Sequence, residues 1–429
     1  MSVSASRGPA EETPMSGFAP AEHCRGCGGP LETDLIDLGA MPLANRLLDP
    51  DDPRPEPRYP LRVQVCGRCF LAQLDGTVPP EELFSDYVYF SSTSRAWVEH
   101  AGRFVDDAAA RFGLGPDSLV VEIASNDGYL LRHVVARGIP ALGIEPAANV
   151  AEAARRQGIP TESRFFSLAT ARDLAGQGRR AAMIVANNVL AHAPVLPDFL
   201  AGVALLLRPD GVFTAEFPHL RELIAHRQFD TIYHEHVFYL SLLALEPMLD
   251  AAGLRLFDVE QWPTHGGSLR IFAARAERPR PESDRLAALR ALERQAGLDR
   301  LATYAAFGRH IAPIRRSLTG FLAGARAEAK RVMAFGAAAK GITLLNYCGV
   351  TTREIAAVID ETPAKIGKLI PGCRIPILGL DRLAAERPDY VLILPWNHKT
   401  EIATKLARLP GWNARLVLPV PRTEVLAAA

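Results

Sequence analysis

A chain of 429 residues with 48% hydrophobic and 22% charged content is too long for one ordinary core, and predicts two or three folded domains. Lys+Arg and Asp+Glu balance at 48 each for a formal net charge of zero, which excludes a polyelectrolyte partner held by bulk charge and leaves anion binding to local sites. No apolar run approaches the ~20 residues that span a bilayer, and six cysteines in so long a chain are no secreted disulfide scaffold, so the expectation is a cytoplasmic protein without a nucleic-acid or membrane partner.

The opening residues, MSVSASRGPAEETPMSG, are polar and lack an apolar signal core, so residues 1–20 read as a disordered tail. Residues 21–78 form a small loop-rich module, proline-rich at DPDDPRPEPRYP, with two C-x-x-C pairs: Cys24 with Cys27, and Cys66 with Cys69. Each pair carries glycine for a tight backbone turn, and together they predict a tetrahedral all-cysteine zinc site. With all four positions filled, that zinc is structural. Redox-active or incidental cysteines are the rival reading. Cys348 and Cys373 read as packing residues.

From residue 79 to 278, apolar strand-like runs alternate with Ala/Leu/Arg-rich helical stretches, the signature of an α/β sheet. SLVVEIA ends at Glu122 and passes through Ala124, Ser125, Asn126, Asp127 and Gly128 into a helix. Small residues there let a ligand approach the backbone, and the helix start offers unpaired N–H groups. ALGIEP places Glu145 at the end of the next strand, suited to accept both hydroxyls of a ribose. AAMIVAN ends in Asn187 and Asn188 and leads to His192. Only Gly128 stands where a G-x-G-x-x-G loop would have three glycines. The strand order and these landmarks match a class I S-adenosylmethionine (SAM) methyltransferase sheet better than a Rossmann dehydrogenase.

TIYHEHVFYL, residues 231–240, follows the fifth strand, where strand ends gather over a ligand crevice. Extended geometry would put His234 and His236 on one face with Tyr233 and Glu235 on the other, and Ser241 reads as the N-cap of the next helix. A metal site and histidines capping sheet edges are alternatives. The favoured reading is acid–base work: methyl transfer to carbon needs a carbanion, most readily an enolate made by removing a proton alpha to a ketone. A His–Glu pair would supply the base, with tyrosine hydroxyls and a second histidine on the oxyanion.

PRPESDR, residues 279–285, reads as a hinge, followed by two helical stretches and a second, smaller α/β unit to residue 429. VMAFGAAAKG places Gly336 at a turn into a helix and Lys340 beside it, suited to a diphosphate, and AAVID ends at Asp360, suited to a ribose hydroxyl. Alone, this block reads almost as well as an NAD site. An NAD-dependent sugar-nucleotide oxidoreductase is therefore the rival enzyme, and a zinc-knuckle adaptor the non-catalytic alternative. His265, in HGGSLR, is a minor candidate for reaching substrate.

Taken in order, CRGCGG…CGRC, EIASNDGYLL, ANNVLAHAP, YHEHVFYLS, HGGSLR and GAAAKG…VIDETPAKIGKLIPG resemble the nucleotide-sugar C-methyltransferases of deoxysugar biosynthesis over nearly the whole chain after about residue 20. The resemblance implies a zinc-binding domain, a SAM-binding middle domain and a C-terminal α/β domain that helps bind the nucleotide sugar. It implies methylation of a ring carbon, usually C3, of a thymidine-diphosphate (TDP) 4-keto-6-deoxyhexose, with a monomer as the expected state. It also implies that His236 is the base, with Glu235, Tyr233, His192 and a tyrosine just after the zinc module. FSDYVYFSS offers Tyr87 and Tyr89 for that last role, and Tyr87 is preferred.

Overall fold

The computed structural model describes residues 17–53, 56–79, 82–83, 90–409 and 411–426. Tyr87, Tyr89 and most of the N-terminal tail lie outside the described residues. Among the described residues no helix is long and apolar enough to cross a membrane.

The cysteine module is built on three antiparallel strands, β1 (Leu31–Pro42), β2 (Arg58–Cys66) and β3 (Ala72–Leu74). In β2 the period of two is plain: Tyr59, Leu61, Val63 and Val65 are buried and the residues between them are not. At the first knuckle the Gly28 N–H bonds the Cys24 carbonyl, and Gly28 sits at φ 69°, a conformation that favours glycine. The four sulfurs lie within 4.8 Å of one another, with Cys24 Sγ to Cys69 Sγ at 3.6 Å and Cys27 Sγ to Cys66 Sγ at 3.5 Å. Zn–S bonds of ~2.3 Å in a tetrahedron put sulfurs ~3.8 Å apart, so the cluster fits a zinc ion. Backbone N–H groups of Gly26, Arg68 and Cys69 point at Cys24 and Cys66 sulfurs, as thiolate ligands require.

The middle unit opens with helix α1 (Arg95–Phe112), capped by the Ser94 side chain and stopped by Gly113 in the left-handed region. Strands β4 (Val120–Ile123), β5 (Ala141–Ile144), β6 (Thr161–Glu162), β7 (Ala181–Asn187) and β8 (Leu207–Pro218) run parallel. β9 (Phe238–Tyr239) leaves this sheet and pairs antiparallel with β3 of the cysteine module. Ser241 caps helix α2 (Leu242–Ala251), as its position in the sequence predicts. Then β10 (Leu254–Trp262) and β11 (Ser268–Arg275) complete the sheet in the order β10-β11-β8-β7-β4-β5-β6, with β11 antiparallel to both neighbours. β4 is buried throughout, as parallel strands covered on both faces must be.

Helix α3 (Asp284–Gln295) packs on β10, and α4 (Leu301–Ala327) packs along β1. The expected hinge is anchored at its end, since Ser283 caps α3 and both Ser283 and Arg285 bond Asp258 of β10. The last unit holds β12 (Val332–Phe335), helix α5 (Ala339–Cys348), β13 (Val358–Ile359), β14 (Ile377–Leu378), β15 (Tyr390–Ile393), β16 (Arg415–Leu418) and β17 (Glu424–Val425). Its order is β14-β13-β12-β15-β16-β17, parallel except for the last pair. Cys348 and Cys373 are buried here, as packing residues should be.

One apolar cluster runs through all three units: Leu35 and Val63 of the cysteine module, Phe229 and Ile232 before β9, Tyr304 and Phe307 of α4, and Leu344 of α5. The Leu48–Leu369 backbone bridge and the Lys368–Asp49 ion pair (2.8 Å) tie the first unit to the last. Cys24, Cys66 and Cys69 belong to a second cluster, shared with Leu245 and Met248 of α2. Loss of the metal should therefore be felt across the molecule. Purified protein should carry one zinc per chain by elemental analysis, and Cys66→Ser should lose it and lower Tm by several degrees, each ~1 kcal/mol costing roughly 2–4 °C in large domains.

Candidate active site

The residues from Thr231 to Val237 form a turn rather than an extended strand, because the chain must leave the middle sheet and enter the cysteine-module sheet at Phe238. The His236 N–H bonds the Tyr233 carbonyl at 2.9 Å, which brings Tyr233 and His236 together. The Tyr233 hydroxyl lies 2.7 Å from His236 Nε2, and His236 Nδ1 lies 3.0 Å from the Thr231 carbonyl. A carbonyl only accepts, so Nδ1 carries the proton and Nε2 presents its lone pair to the tyrosine. His192 Nδ1 donates to the Glu235 carbonyl at 2.7 Å, and the His192 and His236 rings are 4.8 Å apart.

His234 points the other way. Its Nε2 faces the Tyr59 and Pro60 carbonyls of β2 at 3.2 and 3.1 Å, a structural tie to the cysteine module. Glu235 does not pair with a histidine side chain. Its carboxylate accepts from Asn45 Nδ2 at 2.6 Å, while the Thr231 carbonyl does the orienting of His236 expected of Glu235. Burial sets the electrostatics. It drives His192 down to about 4, and His236, beside His192, well below the usual imidazole value. It pushes Glu235 up to about 7 against the Asn45 hydrogen bond.

The crevice at the strand ends of β4, β5 and β7 is strained as well as narrow. Ala124 (φ 52°), Asn126 (φ 51°) and Asn188 (φ 56°) all occupy the left-handed region without being glycine. At Gly128 (φ 80°) an added Cβ would come within 2.1 Å of Ile159, so this glycine is required by packing as well as by backbone. Glu145 is 4% exposed and accepts from the Asn126 and Ala147 N–H groups at 2.9 and 2.8 Å, leaving lone pairs for a ligand's hydroxyls. Burial and the neighbouring carboxylates Glu145 and Asp127 push the Glu122 carboxyl well up, against the Tyr129 hydrogen bond. Among the described residues, Glu122 Oε2, Asp127 Oδ1 and Asn187 Oδ1 are buried acceptors without a partner. The unpaired acceptors of Asp127 and Asn187 suit a donor, and the ammonium and hydroxyls of SAM match that chemistry.

Three features here have no local signal in the sequence. Glu216 at the end of β8 takes His100 of α1 at 2.8 Å, the Arg270 guanidinium of β11 and the Thr264 hydroxyl at 2.8 Å. Burial opposes its charge, yet His100 and Arg270 hold its carboxyl down at about 2. Thr264 thereby fixes the loop in which His265 (φ 55°) accepts from Asn188 Nδ2 at 3.2 Å. Trp97 stacks on His100 and Tyr129 and meets His265 edge-on, forming one aromatic wall. Finally, fully buried Asp230 accepts from Trp396 Nε1 at 2.6 Å, and the Thr343 hydroxyl of α5 donates to the Ile232 carbonyl at 3.0 Å. The C-terminal unit thus braces the turn just ahead of Tyr233.

Three family models cover the chain in succession: "Putative zinc binding domain" at residues 24–84, "Methyltransferase domain" at 97–259 and "C-methyltransferase C-terminal domain" at 263–421. C-methyltransferase NovU of Streptomyces niveus is 36% identical over 410 residues, spanning 95% of this chain and 98% of its own. The chain belongs to the C-methyltransferase family. It is a SAM-dependent methyltransferase with a zinc-binding N-terminal module. Among solved structures, a SAM-dependent methyltransferase from Clostridium acetobutylicum matches at 9% identity, 41% of this chain, 91% of its own and a TM-score of 0.33. Magnesium protoporphyrin IX methyltransferase of Synechocystis matches at 17% identity, 42% of this chain, 83% of its own and a TM-score of 0.32.

In the C-terminal unit of this methyltransferase, Gly336 (φ 88°) turns the chain where a Cβ would meet the Pro395 ring at 2.6 Å. Lys340 Nζ donates to Asn397 Oδ1 at 2.7 Å and lies 4.7 Å from the centre of the Trp396 ring, whose Nε1 bonds Asp230 just ahead of the 231–237 turn. Asp360 accepts from the Ala337 and Thr362 N–H groups at 2.8 Å each, with Lys365 Nζ at 3.7 Å. Two outcomes are expected of the middle sheet. Glu145→Ala should weaken binding of S-adenosylhomocysteine about 10–100-fold by calorimetry. Arg270→Ala, which strips Glu216 of its buried cation, should cost about 3–5 kcal/mol in urea unfolding.

Proposed function

We propose that this enzyme methylates C3 of a TDP-linked 4-keto-6-deoxyhexose through a base-generated enolate, in the biosynthesis of a deoxysugar for an antibiotic, as a cytoplasmic monomer. The observation that carries the reading is the Tyr233–His236 pair. It holds a neutral imidazole, with its proton fixed on Nδ1, in a half-buried site at the strand ends. A ketone acidifies the carbons beside it, and a neutral base is what removing such a proton requires.

In this reading His236 Nε2 takes the C3 proton, and the Tyr233 hydroxyl, released from Nε2, donates to the C4 oxygen as negative charge develops there. His192 lies on the same side and supports the enolate, and Tyr87 joins the set from outside the described residues. Bound along Ala124, Asn126, Gly128, Glu145 and Asn187, SAM supplies an electrophilic methyl group. Gly336, Lys340 and Asp360 are assigned to the nucleotide diphosphate portion. The corresponding division is a zinc-binding domain at 21–78, a methyltransferase domain at 79–278 and a C-terminal domain at 279–429. An oxidoreductase built on the C-terminal sheet is disfavoured, because that sheet falls within the matched C-methyltransferase segment.

With a 4-keto sugar nucleotide in deuterated water, C3 should exchange even without SAM, and His236→Asn should slow both exchange and methyl transfer by about 10²–10⁴-fold. Deuterium at C5 instead would move the reaction to the other flank of the ketone. The neutral imidazole is the active form, so a depressed pKa keeps it active to lower pH, and the acid limb of exchange should fall well below the ordinary imidazole value of about 6.5. A limb above that value that persists in Glu235→Gln would remove His236 as the base.

A further inference from the structure

We infer that Asn45, on the zinc-bearing module, is a positioning residue of the active site: its side-chain amide holds the Glu235 carboxylate and so fixes the peptide that places His192 beside His236. Asn45 lies in the turn after β1, where the Arg46 N–H bonds the Leu43 carbonyl at 3.2 Å. Its Nδ2 donates to Glu235 Oε1 at 2.6 Å across 190 residues of sequence, and Glu235 is 4% exposed. A carboxyl this buried needs a donor, and a neutral amide supplies one without adding charge beside two neutral imidazoles. The same residue's carbonyl accepts the His192 Nδ1–H at 2.7 Å, so a shift of Glu235 moves His192.

Other ties hold the module to neighbouring parts of the segment. His234 bonds the Tyr59 and Pro60 carbonyls, the Leu74 N–H bonds the Val237 carbonyl at 2.9 Å, and β9 pairs with β3. Those contacts anchor His234 and the backbone from Val237 onward. Asn45 instead grips the side chain of the residue whose carbonyl holds His192 and whose chain neighbour is His236. Its effect is therefore on the geometry of the site more than on attachment of the module. The catalytic part of this inference rests on the proposed roles of His192 and His236.

Asn45→Ala, Asn45→Asp and the double variant Asn45→Asp/Glu235→Gln should each retain one zinc per chain. Hydrogen exchange by mass spectrometry, which needs no substrate, should show the peptide spanning residues 229–240 exchanging about 10-fold faster in Asn45→Ala, with β1 and β2 unchanged. In turnover, kcat should fall about 10–100-fold while KM for SAM stays within about twofold. Asn45→Asp keeps the shape but loses the donor, so it should be at least as impaired as Asn45→Ala. The double variant restores the hydrogen bond with its polarity reversed and should recover protection. Unchanged protection in Asn45→Ala, or a double variant no better protected than Asn45→Asp, would overturn the assignment. Failure of the wild type to act on any 4-keto sugar nucleotide would sink the substrate reading, while the exchange result would still decide Asn45.

Discussion

Pairing of Phe238–Tyr239 with Ala72–Gln73 is the constraint on which the active site depends. It takes the chain out of the methyl-transfer sheet and into the zinc-bearing one between the end of β8 and the start of α2. The segment before it must therefore turn, and a turn exposes backbone groups that burial then obliges the protein to satisfy. Thr231, Tyr233 and Glu235 carbonyls are all met by histidine or backbone N–H groups of the site itself. The geometry of the candidate site is, in this sense, the solution to a hydrogen-bonding problem set by the crossover.

All three units contribute to that solution. The cysteine module supplies Asn45 and the Tyr59 and Pro60 carbonyls, the middle unit supplies His192, and the C-terminal unit supplies Trp396 and Thr343. Because the cysteines share an apolar cluster with Val237, Phe238 and Leu240, the zinc is structural without being remote from the site. Closing four cysteines around a metal stiffens a loop-rich module that has little core of its own, and that stiffness is passed on through β2 and β3.

Electrostatically the site is kept close to neutral. Burial pushes the imidazoles of His192, His236 and His265 down and the carboxyls of Glu235 and Asp230 up. Lys340 is drawn down by burial and supported by Asp230. In a low-dielectric pocket a charge that appears during reaction interacts strongly with preorganised donors, which is the condition the proposed enolate chemistry needs. Glu216 and Arg270 form a buried ion pair beneath the His265 loop, where it organises structure.

The sequence by itself determined what depends on neighbours along the chain: the two knuckles from their spacing, the longer strands of both sheets from apolar runs, Glu145 at a strand end, and the Ser241 cap. It also located the polar run at 231–240 as the place where chemistry should be sought. Only tertiary structure decided how that run is wired. An extended reading separates Tyr233 from His236 and leaves Glu235 to serve a histidine, whereas the crossover to β3 folds Tyr233 onto His236 and hands Glu235 to Asn45. His100 with Glu216, and Asp230 with Trp396, are joined over 116 and 166 residues of chain. No periodicity encodes such pairs, because what selects them is the cost of leaving a buried polar group without a partner, and that cost exists only once the units have packed.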